Sequence, residues 1–221
     1  MDETETTDEA GTIDETGRAG EAEPAGEAEP AATVETPDGT GTTVDVISPN
    51  LPVKETILRT EPPEWVGPDD VRVIGYPKFL FEYEVTLGRV LLSDRKVQVS
   101  MTVDAVTGGR LRNDVYPEIE RRTLPANALQ QPRFERDEAT EKARSVVRRY
   151  ISFHYPSAVM VANIQEMEIV SEDFVFALYY LVPQSADRDA AEQTVTILDA
   201  TSGETVESDV ELSAVSAERI A

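Results

Sequence analysis

The chain has 221 residues and no cysteine, and its 43 acidic against 20 basic residues give a formal net charge of −23. That length is sufficient for one or two domains, and the lack of cysteine excludes disulfides, thiolate metal sites and cysteine nucleophiles. The acidic balance, with 16 Arg and only 4 Lys, is typical of halophilic proteins, whose carboxylates keep the surface hydrated at high salt. We therefore interpret the charge as a determinant of solubility.

The first 45 residues differ in composition from the rest of the chain. They contain 14 acids and one base, Arg18, and a hexapeptide that repeats perfectly at 20–25 and 26–31. Such a segment cannot bury enough apolar surface to offset an ordering cost of about 1–2 kcal/mol per residue. We predict a disordered acidic tail over 1–45. It serves either as a solubilising segment or as an acidic interaction tail or DNA mimic.

Neither targeting nor membrane insertion is indicated by the sequence. Residues 1–5 include neither a basic nor an apolar region of a signal peptide. The longest apolar run, Phe174 to Val182, is shorter than the roughly 20 residues that a membrane-spanning helix needs. We therefore expect a cytoplasmic protein without membrane insertion.

Residues 46–112 are predicted to form a first β module. Prolines between 48 and 70 limit helix to a short segment around 53–59. Apolar residues predict strands at 71–74 and 79–92, and a polar turn follows at 93–96. Alternation from Val97 to Val103 predicts a returning strand with one buried and one solvated face, as in an antiparallel sheet.

A proline-containing connector, 113–134, precedes a second module at 135–221. The connector is predicted to hold only one turn of helix near 118–122. The best helix follows at 137–152, with Asp137 as N-cap and an apolar stripe at helical spacing. The remaining elements predicted for this module are strands at 158–170, 174–182 and 193–199 and a short terminal helix within 206–221.

A sequence pattern occurs in both modules at an offset of 95 residues. Phe79-Leu80-Phe81 and a later Asp104–Gly108 segment correspond to Phe174-Val175-Phe176 and Asp199–Gly203, with eight identities in 42 aligned positions. The pattern predicts two copies of one β-hairpin. We interpret Asp104 and Asp199 as acceptors in Asx-type turns in which Gly108 and Gly203 adopt positive φ. Cation binding is the alternative, but a hard cation needs about six oxygen ligands.

A helix followed by strands and a terminal Asp-Ala-x-Ser/Thr-Gly motif resembles the PepSY family. The matching residues are Asp137-Glu138-Ala139 and the segment 196–204, within about 135–208. The first module matches only in its strands and in Val103–Gly108. The resemblance implies α+β modules, which in that family are usually secreted or membrane-attached and bind or restrain other proteins. The expected fold is therefore α+β: two tandem antiparallel modules, the second with a packed helix.

The sequence gives few candidates for catalysis. His154 is the only histidine, which disfavours a transition-metal site or a Ser-His-Asp triad. No glycine-rich phosphate loop is present. We expect a protein that is not an enzyme and that has neither a metal nor a cofactor.

Basic residues concentrate between 110 and 149, which hold ten of the twenty bases against seven acids. Our candidate binding residues are Arg121, Arg122, Arg144, Arg148, Arg149 and Tyr155. The segment is either a docking face or the solvated exterior of a helix.

We therefore predict a non-catalytic interaction or regulatory protein whose partner is another protein. A nucleic-acid-associated protein that uses 110–149 is the main alternative, although phosphate contacts weaken steeply with salt. A small-ligand binder between the modules is the third. Whether the modules form one domain, and the oligomeric state, stay open.

Overall fold

A computed structural model describes residues 41–88, 93–155, 163–188 and 192–215, all of which lie in one compact unit, 34–221. The predicted α+β class is confirmed. Within the described residues the elements are β1 (Gly41–Ile47), α1 (Val53–Thr60), β2 (Arg72–Gly88), β3 (Arg95–Asp104), β4 (Arg110–Asn113), β5 (Ile119–Pro125), α2 (Arg136–His154), β6 (Asn163–Pro183), β7 (Thr194–Asp199) and β8 (Thr205–Glu211).

All eight strands belong to one sheet. Its main path runs β4-β3-β2-β6-β1-β5, and a branch adds β7 beside β6 and β8 beside β7. Every pairing is antiparallel except the one between β1 and β6, which meet at Val46 and Phe176. The two sequence copies are therefore joined through the long ladder between β2 and β6.

The duplicated hairpins meet at the start of their shared pattern. Phe79 and Phe174 lie opposite each other in the β2–β6 ladder, and their ring centroids are 5.0 Å apart. The copies differ in their own hairpin pairing, because Asp104 lies opposite Lys78 whereas Asp199 lies opposite Tyr179. A uniform offset of 95 would place Asp173 opposite Asp199. The second hairpin is therefore displaced by six residues on its first strand.

β2 is one strand, so the predicted break between 74 and 79 was wrong. A proline inside a sheet removes a donor from the ladder, and the carbonyl facing it needs another partner. Here Pro77 faces Ala105, whose N–H donates to the carbonyl of Pro77 at 3.1 Å. The carbonyl of Ala105 accepts instead from the N–H groups of Arg133 and Phe134, at 2.7 and 3.0 Å.

β6 likewise replaces the two strands predicted at 158–170 and 174–182, and residues 158–162 lie outside the described residues. The polar Ser171-Glu172-Asp173 segment continues the strand because it pairs with β2, across a register shift at Glu82 and Tyr83. Tertiary pairing thus overrides low local strand propensity.

Three further predictions are corrected. The helical turn predicted at 118–122 is part of β5, which pairs with β1. Residues 41–45, predicted as the end of the tail, belong to β1, and 1–40 lie outside the described residues. In place of the terminal helix, β8 is followed by one 3-10 turn, Leu212–Ala214, and 216–221 lie outside the described residues.

The predicted helix at 137–152 is confirmed as α2, although Glu135 rather than Asp137 is its N-cap. α2 buries Ala139, Ala143, Val147 and Ile151 against aromatic and aliphatic side chains of β2 and β3. A second cluster packs β6 and β7 beneath α1, and a third includes Tyr76, Leu80 and Ile197. No helix in the described ranges has the length and apolar content required to cross a membrane.

The sheet is curled. β4 and β5 end the main path, five strand spacings apart, which corresponds to about 24 Å along a flat sheet. The connection from Asn113 to Ile119 reaches only about 20 Å when fully extended. Its Tyr116 hydroxyl donates to Asp173 on β6 at 2.7 Å, so the connection crosses the concave face. The two ends of the path remain edge strands among the described residues.

Candidate functional site

β4 exposes main-chain groups at its outer edge. The N–H of Asp104 donates to the carbonyl of Gly109 at 2.8 Å, so these two residues form a hydrogen-bonded pair. Hydrogen-bonded and non-hydrogen-bonded pairs alternate along an antiparallel ladder. The pairs of Val103 with Arg110 and of Met101 with Arg112 are therefore non-hydrogen-bonded. The pair of Thr102 with Leu111, which lies between them, is hydrogen-bonded. The N–H and C=O groups of Arg110 and Arg112 therefore point away from β3, toward an edge with which no described strand pairs.

The side chains of Arg110 and Arg112 lie on the side of the sheet that α2 covers. They are opposite Val103 and Met101, which pack in the cluster beneath α2. The Arg112 guanidinium carbon lies 5.0 Å from the centroid of the Tyr150 ring of α2, a cation–π distance. The edge of β4 and the adjacent flank of α2 thus form one continuous surface.

The flank of α2 beside β4 is basic and partly apolar. Phe153 follows Tyr150 by three residues and Arg149 by four, so it is a neighbour of both on the surface of α2. Arg149 is exposed, and 79% of the Phe153 surface is accessible. On β4 itself, Leu111 is 66% exposed, but its side chain lies on the side of the sheet away from α2. The α2–β4 surface, as we name it, consists of Arg110, Arg112, Arg149, Tyr150 and Phe153.

The α2–β4 surface carries an excess of positive charge. Among the described residues, its one acidic neighbour in an ion pair is Asp114, which Arg112 contacts at 2.7 Å and whose side chain is 88% exposed. Arg110 and Arg149 make no ion pair with any residue that the structure describes. Free main-chain groups beside guanidinium groups suit an extended segment that carries carboxylates.

The structure separates the candidate binding residues into two regions. Arg144, Arg148 and Arg149 are on α2, where Arg144 contacts Glu141 at 3.3 Å. Tyr155, the C-cap residue, has the guanidinium carbon of Arg95 5.2 Å from its ring centroid.

Arg121 and Arg122 are instead on β5, at the other end of the main path. Arg121 contacts Asp45 at 3.2 Å. Arg122 is ion-paired with Glu120 and hydrogen-bonded to Tyr180. These two arginines are therefore not part of the α2–β4 surface.

Sequence reasoning did not single out Arg110, Arg112 and Phe153 as binding residues. The available signal was the Arg-Leu-Arg alternation at 110–112, which places two bases on one face of a strand. That alternation indicates a site only after the strand is known to be an edge, which is a property of the topology.

His154 is bound within its own helix. Its Nδ1 lies 3.1 Å from the carbonyl oxygen of Tyr150, and its ring centroid is 4.2 Å from that of Tyr150. Among the described residues no group of three or more His, Asp or Glu side chains is arranged to hold a metal ion.

The two Asp-Gly turns have the same main-chain geometry. Asp104 Oδ1 accepts from the N–H groups of Val106 and Thr107 at 2.8 and 2.7 Å. Asp199 Oδ1 accepts from Thr201 and Ser202 at 2.6 and 3.2 Å. The following glycines, Gly108 and Gly203, have φ of 71° and 72°. All four residues are thus placed in turns.

The first turn also contains a buried ion pair. Lys78 Nζ lies 2.6 Å from Asp104 Oδ2, and the two side chains are 13% and 8% exposed. Burial alone raises the pKa of Asp104, but hydrogen bonds from Lys78 and from two main-chain N–H groups outweigh burial, so this pKa lies below its ordinary value. The second turn places Tyr179 where the first has Lys78.

Comparison with protein-family models, curated proteins and solved structures finds no match for this chain. The resemblance of residues 135–208 to PepSY modules therefore stays a prediction.

Proposed function

We propose that the protein is a non-catalytic interaction protein that binds an extended, acidic segment of another protein on the α2–β4 surface. The observation that carries this proposal is the outward direction of the Arg110 and Arg112 main-chain groups at a free sheet edge. An incoming strand hydrogen-bonds to such an edge, and its alternate side chains are recognised by the neighbouring surface.

Charge gives this edge its selectivity. Arg110 and Arg112 share one face, so carboxylates two residues apart on an incoming strand lie opposite both guanidinium groups. Arg149 adds a third positive charge, and the exposed ring of Phe153 offers apolar contact. Two copies of β4 pair less favourably with each other than with an acidic strand. Antiparallel pairing about Leu111 places Arg110 opposite Arg112 of the other copy, so like charges meet.

The test uses the full chain and a fluorescently labelled nine-residue peptide in which Glu and Thr alternate. Fluorescence anisotropy should show saturable binding that Arg110→Gln with Arg112→Gln weakens at least about tenfold, since two charge-assisted contacts are lost. Arg72→Gln with Arg188→Gln is the matched control, because both arginines are exposed and lie outside the surface. That control should bind as the wild type does.

Two altered peptides separate strand addition from simple charge attraction. A peptide with the same charges but methylated main-chain nitrogens should not bind, because it cannot pair with the strand edge. A peptide with Lys in place of Glu should also fail. Equal binding of the methylated peptide, or equal loss in both double variants, would overturn the proposal.

The nucleic-acid alternative is an outcome of the same assay. Labelled single-stranded DNA that binds tightly, while the acidic peptide does not, would favour it over the proposed function. The predictions that the protein is not an enzyme and requires no cofactor are independent of this assay.

A further inference from the structure

β5, the strand at the other end of the main path, also has a free edge. The N–H of Ser48 donates to the carbonyl of Glu118 at 2.9 Å, which fixes the alternation of the β1–β5 ladder. It follows that Ile119, Arg121 and Thr123 direct their main-chain groups away from β1. No described strand pairs with this edge.

The sequence of β5 and its flanks is complementary to itself when read in the opposite direction. Antiparallel pairing of two copies about Arg121 places Glu120 opposite Arg122 of the second copy, and Arg122 opposite the second Glu120. The hydrogen-bonded pairs are then Arg121 with Arg121 and Ile119 with Thr123, which are the residues whose main-chain groups face the edge. This arrangement forms about six main-chain hydrogen bonds.

Two prolines set the limits of this pairing. Pro117 and Pro125 each stand four residues from Arg121, so the same two-fold relation brings Pro117 opposite Pro125 of the second copy. Proline has no N–H to donate to a ladder. The pairing is thereby confined to residues 118–124.

Charge complementarity favours this pairing over others. Glu120 and Arg122 occupy a non-hydrogen-bonded pair, in which opposite side chains approach most closely. Each Glu120 would lie between its own Arg122, with which it is already ion-paired, and the Arg122 of the second copy. The two Arg121 side chains meet at the centre, but each has Asp45 at 3.2 Å on its own chain.

We propose that β5 is a homodimerisation edge, and that two copies of this chain join their sheets through antiparallel β5 strands. The partner is thus a second copy of the same chain. This proposal uses none of the residues of the α2–β4 surface, so each proposal can fail without the other.

Charge exchange between chains gives the decisive test. Glu120→Arg and Arg122→Glu each place like charges opposite one another in a homodimer, so sedimentation velocity should show each full-length variant dimerising at least about tenfold more weakly than the wild type. An equimolar mixture of the two variants restores opposite charges in both pairs, and it should form a heterodimer. Arg72→Gln is the control, and it should dimerise as the wild type does.

A measurement on the wild type alone covers the case in which a variant does not fold. Amide hydrogen exchange should show concentration-dependent protection at Ile119, Arg121 and Thr123. The amides of Glu120 and Arg122 face β1 and should not respond to protein concentration. A wild-type protein that is monomeric at all concentrations, or a mixture of the variants that stays monomeric while both are folded, would overturn the proposal.

Discussion

Separate Asp104→Asn and Asp199→Asn variants measure how much the buried Lys78–Asp104 ion pair contributes to the free energy of unfolding. The turn at Asp199, which has no such ion pair in the structure described, is the internal control. Asn retains the side-chain oxygen that accepts the two main-chain N–H bonds in each turn. Only Asp104 also neutralises a buried ammonium group, that of Lys78 at 2.6 Å. The difference between the two variants therefore isolates the Lys78 contact.

The expected losses in free energy of unfolding differ several-fold between the two variants. Removing one partner of a buried ion pair costs about 3–5 kcal/mol, because the other charge stays buried. Asp104→Asn should therefore lower the free energy of unfolding by about 3 kcal/mol or more. Asp199→Asn should lower it by less than about 1 kcal/mol, the scale of an altered hydrogen bond. Lys78→Met with Asp104→Asn should recover most of the loss, since no unpaired charge remains.

Urea unfolding at fixed salt and pH 7 measures these free energies. The pKa of Asp104 is lower in the folded protein than in the unfolded chain, so its ionisation stabilises the fold above the unfolded pKa of about 3.9. That stabilisation disappears as the pH falls through the folded pKa, and the difference between wild type and Asp104→Asn should shrink there. Equal destabilisation by the two Asn variants would refute the reasoning.

Two further predictions concern packing and exposure. Gly75→Ala should cost about 1–3 kcal/mol in thermal unfolding, because its Cβ would lie 2.8 Å from Leu129 Cδ2 and 3.3 Å from the Phe176 ring. Gly67→Ala, where the nearest atom is 3.7 Å away, should be nearly neutral, and equal costs would contradict the packing. Phe153→Ser should change stability by less than about 0.5 kcal/mol yet weaken acidic-peptide binding several-fold. Leu58→Ser, at 78% exposure on α1, should leave binding unchanged.

Local sequence patterns predicted α2 and the two Asp-Gly turns. The apolar stripe of α2 gave that helix to within two residues at each end, and the Asp-Gly segments gave two turns with positive φ. The duplicated Phe-x-Phe pattern predicted two hairpins. It could not show that the copies pair with each other, because the contact between Phe79 and Phe174 depends on the long-range β2–β6 ladder.

Elements held mainly by tertiary contacts were missed. The helical turn predicted near 118–122 was wrong, because the ladder with β1 makes the charged Glu120-Arg121-Arg122 run part of a strand. The break predicted between 74 and 79 was wrong, because the strand continues through Pro77. The N–H groups of Arg133 and Phe134 donate to the Ala105 carbonyl, which Pro77 cannot serve. The α2–β4 surface depends on the same kind of information, since Arg110 becomes a site residue only where the sheet ends.

Residue-resolved amide exchange on the full chain, with and without the alternating Glu-Thr peptide, tests the central claim most directly. Strand addition predicts that the peptide slows exchange at Arg110 and Arg112, whose N–H groups face the free edge of β4. The Leu111 N–H faces β3 and should exchange at the same rate in both conditions. Protection at Arg110 and Arg112 alone would support the proposed function. Unchanged exchange at both under saturating peptide, or equal slowing at all three residues, would contradict it.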